Sequence, residues 1–139
     1  MERTLALIKP DATAGHLTGR ILQRIEEAGF RIRAMKGVRL SRTEAMEFYA
    51  VHRERPFFGS LTAFMSSGSI VALVLEAPDA IGKWRGLMGA TDPSKAEPGT
   101  IRRDFGTSVE RNATHGSDAP GTAIVEIGYF FSGLELADG

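Results

Sequence analysis

The sequence has no cysteine among its 139 residues. Disulfide scaffolds, thiolate catalysis and cysteine-based metal sites are therefore excluded. Long apolar runs are missing as well, because the longest aliphatic stretch covers only residues 70–75 and is too short to span a bilayer. The N-terminus, Met1-Glu2-Arg3, lacks the basic and then apolar layout of a signal peptide. We expect a cytoplasmic protein with no membrane partner.

Neither sign of charge is in excess, because 17 basic residues balance 17 acidic residues. Proteins that bind nucleic acids usually carry a basic excess, so we expect no nucleic-acid partner. Basic residues nevertheless outnumber acidic ones in residues 1–60, which leaves room for a local cationic site. The hydrophobic fraction of 42% is that of a folded globular chain. At this length we expect one domain, residues 1–139.

Hydrophobic periodicity predicts the element order β-α-β-(αα)-β-α-β-α. Strands are predicted over residues 5–8, 31–40, 70–75 and 109–115, and helices over 16–28, 42–52, 57–65, 81–88 and 124–131. We expect a bulge in the second strand near Lys36-Gly37. Ser41 and Glu44 match a capping box at the start of the second helix. Gly29 follows the first helix, where a left-handed residue is favoured.

This order indicates an α+β fold of the ferredoxin-like split β-α-β type. It has a four-stranded antiparallel sheet, and the two helices between the second and third strands form an inserted helical hairpin. We expect the helices to cover one face of the sheet, which gives two layers around one core.

The three histidines are the candidate nucleophiles and proton carriers. His52 stands in a charged stretch at a predicted helix end and His16 in a glycine-bounded turn, so solvent exposure explains both. His115 lies in the segment Asn-Ala-Thr-His-Gly-Ser-Asp at 112–118. This segment suits a polar turn as well as it suits a histidine with orienting neighbours and with Gly116 removing bulk beside the ring. Local composition does not decide between the two.

The segment 112–118 resembles the active-site signature of the nucleoside diphosphate kinase family, Asn-x-x-His-Gly-Ser-Asp. Four further segments resemble that family in order and spacing over essentially the full length. They are Lys-Pro-Asp at 9–11, Arg-Pro-Phe-Phe at 55–58, Gly-Ala-Thr-Asp-Pro at 89–93 and Pro-Gly-Thr-Ile-Arg at 98–102. Two departures stand out. Asp92 replaces the family's usual Asn, and residues 119–125 include a glycine and β-branched residues of low helix propensity.

The resemblance implies a ping-pong phosphotransferase, which moves the terminal phosphate of a nucleoside triphosphate to a nucleoside diphosphate through a phosphohistidine at His115. Glu126 is then expected to hold the other ring nitrogen, and Ser117 to support that carboxylate. Lys9 and Tyr49 are expected to assist the transfer. A neutral imidazole suits this chemistry because it is nucleophilic near pH 7, while the rest of catalysis is positioning and charge stabilisation.

The resemblance also implies that the nucleotide is bound by Lys9, Phe57, Arg85, Thr91, Arg102 and Asn112. Guanidinium groups suit phosphate oxygens because they donate two parallel hydrogen bonds. Phe57 is expected to stack on the base, which gives affinity without base selection, and Asn112 to bind a ribose hydroxyl. Taken without the resemblance, Arg85 and Arg102 are ordinary surface cations. Arg103 receives no role.

Mg²⁺ is the expected cofactor, carried by the nucleotide phosphates and water rather than by protein ligands. Similarity to the short bacterial form of the family implies a homo-oligomer, either a tetramer or a hexamer. The main alternative is a non-catalytic nucleotide-binding module on the same scaffold, which would bind ADP without exchanging phosphate. An RNA-binding sheet domain is a third hypothesis, and the zero net charge argues against it.

Overall fold

The computed structural model describes residues 1–136. The strands are β1 (Glu2–Ile8), β2 (Arg31–Val38), β3 (Ile70–Ala77) and β4 (Thr114–Gly116). The helices are α1 (Pro10–Ala14), α2 (Thr18–Glu27), α3 (Arg42–Phe48), α4 (Phe58–Met65), α5 (Ala80–Met88), α6 (Ile101–Phe105) and α7 (Pro120–Phe130). Short 3₁₀ helices cover Ala50–His52, Pro93–Lys95 and Leu134–Leu136.

The strands form one antiparallel sheet in the order β2-β3-β1-β4. β1 and β3 are central and β4 is an edge strand, with His115 opposite Leu7 of β1. The predicted α+β fold with a split β-α-β order is confirmed, and α3 with α4 forms the inserted hairpin. The sheet thereby places the three-residue strand that carries His115 beside the rigid centre of the molecule.

The prediction that helices cover one face of the sheet is wrong, because apolar clusters lie on both faces. Ala6 and Ile8 of β1 belong to the cluster that contains Trp84, whereas Leu5 and Leu7 belong to the cluster that contains α3, α4 and α7 residues. All four of these β1 side chains are fully buried. A strand that is apolar at every position is buried on both faces, so the unbroken run at 5–8 already indicated three layers.

Several local predictions need correction. The last strand was expected over 109–115, but β4 covers only Thr114–Gly116, and Val109 is exposed in the preceding loop. The second strand does contain an irregularity, but it falls between Ile32 and Ala34 rather than at Lys36-Gly37. The helix expected over 42–52 ends at Phe48, and a 3₁₀ turn follows it.

Two short helices, α1 and α6, were not predicted. Each has five residues, too few for a hydrophobic period to be visible. Pro10 begins α1, so the proline that ends the strand also starts a helix. Thr100 caps α6 through a hydrogen bond from the backbone N–H of Arg103. Lys9 precedes α1 and Arg102 lies in α6, and both residues line the site described below.

The two helix-terminus features predicted from the sequence are confirmed. Ser41 Oγ accepts from Glu44 N at 3.0 Å, and Glu44 Oε1 accepts from Ser41 N at 2.8 Å, which completes the capping box of α3. Gly29, with φ of 92°, follows the end of α2. In residues 1–136, no helix has both the length and the apolar character needed to cross a membrane.

Candidate active site

A cavity of about 630 Å³ opens where the α3–α4 hairpin, β4 and the loops around 89–93 and 106–112 meet. Eight residues predicted from the sequence line it: Lys9, Tyr49, Phe57, Arg85, Thr91, Arg102, Asn112 and His115. They come from six separate stretches of the chain, which the sheet and its helices bring together. The remaining two predicted residues, Ser117 and Glu126, lie behind His115.

His115 is held from behind by a carboxylate. Its Nε2 lies 3.1 Å from Glu126 Oε1, and Ser117 Oγ donates to the same oxygen at 2.8 Å. Ser117 Oγ in turn accepts from the backbone N–H of Leu5 at 3.3 Å. In a neutral imidazole the carboxylate selects the tautomer with the proton on Nε2. Nδ1 therefore carries the lone pair, and a ring held in this way can act as a nucleophile without losing a proton.

Helix α7 brings Glu126 to this position despite its unfavourable composition. Pro120 occupies its first turn, and Thr122 Oγ1 accepts from the backbone N–H of Ala119 at 3.0 Å. The same hydroxyl donates to Asp118 Oδ1 at 2.6 Å. These caps satisfy the first turn, where a helix lacks internal partners. The helix therefore forms through Gly121, and the carboxylate six residues after Pro120 faces β4.

The inner end of the cavity carries two cations, the buried Lys9 and the partly buried Arg102. Lys9 is 6% exposed, and burial, followed by the Arg102 charge, lowers its pKa from 10.5 to about 8. Burial and the Arg85 charge lower the pKa of Arg102 to about 10. Arg102 donates to the carbonyls of Gly89 and Thr114, both at 3.0 Å, and its Nε has no hydrogen-bond partner among residues 1–136. Desolvated cations that repel each other favour an anion between them.

Asn112 joins the cationic inner end of the cavity to the 89–93 loop. Its side-chain oxygen accepts from Lys9 Nζ at 2.8 Å, and its Nδ2 donates to the carbonyl of Thr91 at 3.0 Å. Only 2% of Asn112 is exposed. The Lys9 ammonium also donates to the Glu110 carbonyl at 3.3 Å. The lysine therefore has a defined direction before any ligand arrives, which reduces the entropy lost on binding.

Aromatic rings enclose the imidazole on the hairpin side. The centroids of Phe48 and Tyr49 lie 5.6 and 5.9 Å from that of His115, both edge-on. The Tyr49 hydroxyl is buried with no partner in the described residues, and burial together with the Glu126 charge raises its pKa. Phe57 is half exposed at the cavity mouth, 5.6 Å from the ring of His52. The cavity is therefore apolar at its opening and cationic at its inner end.

Seven residues that line the cavity were not among the predicted site residues: His52, Leu61, Val109, Glu110, Thr114, Gly116 and Asp118. His52 was interpreted as a solvated helix end because its sequence neighbours are charged. Its helical turn instead stacks it on Tyr49, with ring centroids 6.4 Å apart. Asp118 lies within the quoted signature, and that membership was the one sequence signal that could have found it.

Three neighbouring residues have structural roles. Arg103 donates to the carbonyls of Ser94 and Ala96, in agreement with its lack of a predicted role. Asp92 caps the 3₁₀ turn at Pro93–Lys95 by accepting from Ser94 N at 3.0 Å, so its carboxylate serves the loop. Gly116 has a role that the sequence did not indicate. A Cβ there would meet Trp84 and Met88 of α5, with the closest atom 2.5 Å away.

A second concavity, of about 560 Å³, lies between the N-terminus and α7. Apolar side chains such as Ile127 and Phe131 dominate its wall, and it contains neither an imidazole nor a paired carboxylate–histidine arrangement. Within residues 1–136, no three histidine, aspartate or glutamate side chains group as metal ligands. The chemistry that the structure can support is therefore concentrated in the cavity of His115.

Comparisons with known proteins indicate one family over nearly the whole chain. The family described as nucleoside diphosphate kinase matches residues 2–136. The nucleoside diphosphate kinase of Citrifermentans bemidjiense is 60% identical over 136 residues, covering 98% of this chain and 99% of the relative. The crystal structure of the Aquifex aeolicus nucleoside diphosphate kinase has a TM-score of 0.96 at 50% identity, covering 98% and 99% of the two chains.

A halophilic nucleoside diphosphate kinase from Halobacterium salinarum, solved in complex with CDP, has a TM-score of 0.95 at 42% identity and covers 99% of this chain and 92% of that one. Sequence and fold therefore agree over nearly the full length of each relative. The chain belongs to the nucleoside diphosphate kinase family of phosphotransferases.

Proposed function

We propose that this chain carries out the family's reaction with His115 as the phosphate carrier. The observation that carries the proposal is the imidazole bound to Glu126 on one side and open to a cationic cavity on the other. In the first half-reaction, Nδ1 attacks the terminal phosphorus of a nucleoside triphosphate. A P–N bond forms while the P–O bond to the leaving diphosphate breaks. A second nucleoside diphosphate then attacks the phosphohistidine, and the same bonds change in reverse.

Glu126 is the proposed orienting residue for both steps. When Nδ1 bonds to phosphorus, positive charge develops on the ring, and a carboxylate on Nε2–H stabilises that charge. Ser117 limits the movement of the carboxylate because it donates to the oxygen that contacts His115. The buried Tyr49 hydroxyl, which has no partner within residues 1–136, is a suitable donor to a phosphate on the ring. We expect it to support transfer rather than to accept a proton, because its pKa is raised.

Four residues are proposed to stabilise the negative charge on the moving phosphoryl group: Lys9, Arg85, Arg102 and Thr91. In a loose transition state most of the catalytic benefit comes from donors already aimed at the equatorial and leaving oxygens. Lys9 is buried and Arg102 partly buried, and hydrogen bonds to the rest of the chain orient both, whereas Arg85 is exposed on α5. The arrangement suits a polyphosphate tail that reaches Lys9 and Arg102 with its terminal group.

The base is proposed to lie at the apolar mouth against Phe57, between Leu61 and Val109. Stacking on a ring face is possible for every base, so little base selection is expected. The Halobacterium salinarum relative was solved in complex with CDP, which supports a nucleotide as the ligand of this chain. Asn112 remains the proposed ribose contact, with one of its N–H groups and its oxygen already used within the chain.

Mg²⁺ is the proposed cofactor, entering with the nucleotide. Two cavity-lining carboxylates, Glu110 and Asp118, are present, but residues 1–136 contain no set of three acidic or histidine ligands. Two carboxylates are too few to hold the ion by themselves, so they fit an ion held mainly by phosphate oxygens and water. Asp118, three residues after His115, is the carboxylate that would contribute to its binding. When bound, such an ion would neutralise charge on the nucleotide phosphates.

A labelling-and-chase experiment tests directly whether a phosphohistidine forms and passes on its phosphate. Incubation with ATP radiolabelled at the terminal phosphate should give a phosphoprotein that is labile in acid and stable in alkali. Addition of unlabelled dGDP should then move the label into dGTP, because the intermediate serves any acceptor. Stable labelling that no diphosphate removes, or exchange without a labelled protein, would contradict the ping-pong route. ADP binding with neither labelling nor exchange would instead favour the non-catalytic module.

The pH dependence of kcat/KM tests the role of Lys9. Because burial and Arg102 lower the Lys9 pKa to about 8, the free enzyme loses this cation as pH rises through that value. We expect kcat/KM for ATP to fall above pH 8, since this parameter reports the free enzyme. Between about pH 8 and 10.5 the unfolded chain binds more protons at this site than the folded chain does. Stability from this group should therefore rise with pH while activity falls.

Two variants complete that measurement. Lys9→Met removes the charge at every pH, so kcat/KM should be low and should lack the step near pH 8. Lys95→Met removes an exposed lysine and should keep both the step and the rate. A profile that is flat to pH 9.5 in the unmodified protein would refute the assignment of the buried lysine.

Other features expected from the sequence stay predictions. They are the single domain over 1–139, the cytoplasmic location, the absence of a nucleic-acid partner and the tetrameric or hexameric assembly. Ile124 and Val125, adjacent on α7 and each more than 70% exposed, offer apolar surface that an assembly could cover.

A further inference from the structure

The backbone just before His115 is in a rare conformation. Ala113 has φ of 73°, and Thr114 N donates to Asn112 O at 2.9 Å, which closes a three-residue γ-turn around Ala113. A γ-turn with positive φ is strained for any residue with a Cβ. Ala113 is fully buried, so solvent does not supply alternative partners for its peptide groups. Such a conformation persists only where surrounding structure holds it.

The segment at the start of α1 supplies that hold from both sides. Asp11 Oδ2 accepts from the backbone N–H of Ala113 at 3.0 Å, and Lys9 N donates to the carbonyl of Ala113 at 2.8 Å. Asp11 Oδ1 is buried and has no hydrogen-bond partner in residues 1–136. The carboxylate thus has one hydrogen bond, from the backbone N–H of Ala113, and its charge also opposes the lowering of the Lys9 pKa. Asp11 does not line the cavity and so does not contact a nucleotide there.

The turn sets the direction of two site residues at once. On its N-terminal side lies Asn112, which orients Lys9 and reaches Thr91. On its C-terminal side β4 begins, and this strand is only three residues long, with His115 at its centre. A strand this short contributes few ladder hydrogen bonds, so the turn before it must help to fix the imidazole.

We infer that Asp11 is a positioning residue for phosphoryl transfer, which acts by stabilising the γ-turn at Ala113. The inference rests on the proposed role of His115 as phosphate carrier. Loss of the carboxylate lets the turn relax, and His115 and Asn112 then lose their common alignment. Phe57 and Arg85 keep their proposed contacts with the nucleotide, so the effect falls mainly on the transfer step rather than on affinity.

Single-turnover phosphorylation of His115 by ATP, with nucleotide affinity measured in parallel, tests the inference. Asp11→Ala should lower the phosphorylation rate constant roughly 10–100-fold, as expected for loss of a hydrogen bond to a charged group, and leave the ADP dissociation constant within about twofold. Asp11→Asn keeps an oxygen acceptor and should retain most of the rate. Equal losses in the two variants would mean that the charge acts on Lys9, and would overturn the inference.

Rescue at the turn separates positioning from a general structural role. Glycine adopts positive φ without a Cβ penalty, so Ala113→Gly in the Asp11→Ala background should restore at least half of the lost rate on a logarithmic scale, measured against Ala113→Gly alone. Rates are expressed per folded active site, so reduced stability by itself does not change them. No rescue would overturn the inference.

Asp104→Ala is the matched control. It removes an acidic residue of another five-residue helix, one that pairs with Arg24 at 2.7 Å away from the turn, and should leave the rate unchanged. If the unmodified protein is not labelled at His115, the proposed function fails first. If it is labelled and Asp11→Ala reacts equally fast, only the present inference fails.

Discussion

Replacing His115 by alanine is expected to abolish covalent labelling and to lower phosphate exchange by roughly 10⁵-fold or more, since the variant has no other group that can carry phosphate between the two nucleotides. The side chain is only 20% exposed, but it faces a cavity, so its loss opens space rather than a closed void. The fold should therefore survive, with a melting temperature within a few degrees of the unmodified protein. Exchange between GTP and dADP, followed by chromatography of the nucleotides, measures the effect.

The other two histidines provide controls for this result. His16→Asn changes an exposed residue with φ of 59°, a conformation that asparagine tolerates, and should label with full stoichiometry. His52→Ala removes a ring from the cavity wall that contacts Tyr49 and Phe57, so it should change nucleotide affinity while the protein still becomes labelled. Robust labelling of His115→Ala would show that another residue carries the phosphate.

Replacing Gly116 by alanine is expected to give the largest loss of stability. The added Cβ would lie 2.5 Å from Trp84 Cδ1 and 2.7 Å from Met88 Cε. Both side chains are buried, with at most 1% exposed, so neither can swing into solvent. We expect a loss of about 1–3 kcal/mol or more, and a fall in melting temperature of roughly 5–15 °C. The shift should also strain the bond from Trp84 Nε1 to the His115 carbonyl, at 3.2 Å, and so lower exchange in the folded protein.

Gly86→Ala is the matched control for Gly116. Gly86 lies in α5, the helix that carries Trp84, and a Cβ there would have nothing within 4 Å. Alanine should raise stability by about 0.5–1 kcal/mol, because it loses less backbone entropy than glycine in a helix. Thermal and denaturant unfolding of the two variants gives the comparison. Equal stability of Gly116→Ala and the unmodified protein would mean that β4 can shift away from α5 at little cost.

The fold class could be predicted because its signals are local and periodic. The capping box at Ser41 and the glycine at 29 depend on residues at most three positions apart, and both were correct. The extent of β4 could not be predicted, because Val109 and Thr114 are both β-branched and no glycine or proline between them marks a boundary. Only the reach of β1 decides where pairing begins, and that strand pairs with residues 114–116.

In the candidate site, too, some residues could be located from the sequence and others only from the fold. The family signature could be read directly from 112–118, and it located the histidine. The partner carboxylate was assigned by resemblance alone, since residues 119–125 argue against a helix. A proline at the first turn and the Thr122 cap offset that composition, and the contact at 3.1 Å depends on where α7 packs. The cavity role of His52 was missed because its neighbours in sequence are charged, whereas its neighbours in space are Tyr49 and Phe57.

The sequence by itself determined the family, the order of the four strands, the neutral overall charge and which histidine is proposed to carry phosphate. These follow from residue types and spacings, which do not depend on distant parts of the chain. Only the tertiary structure decided that both faces of the sheet are covered, that Gly116 is required by Trp84, and that Asp11 bonds to Ala113. The last two are contacts between residues 32 and 102 positions apart, and all three features exist only after separate elements have packed together.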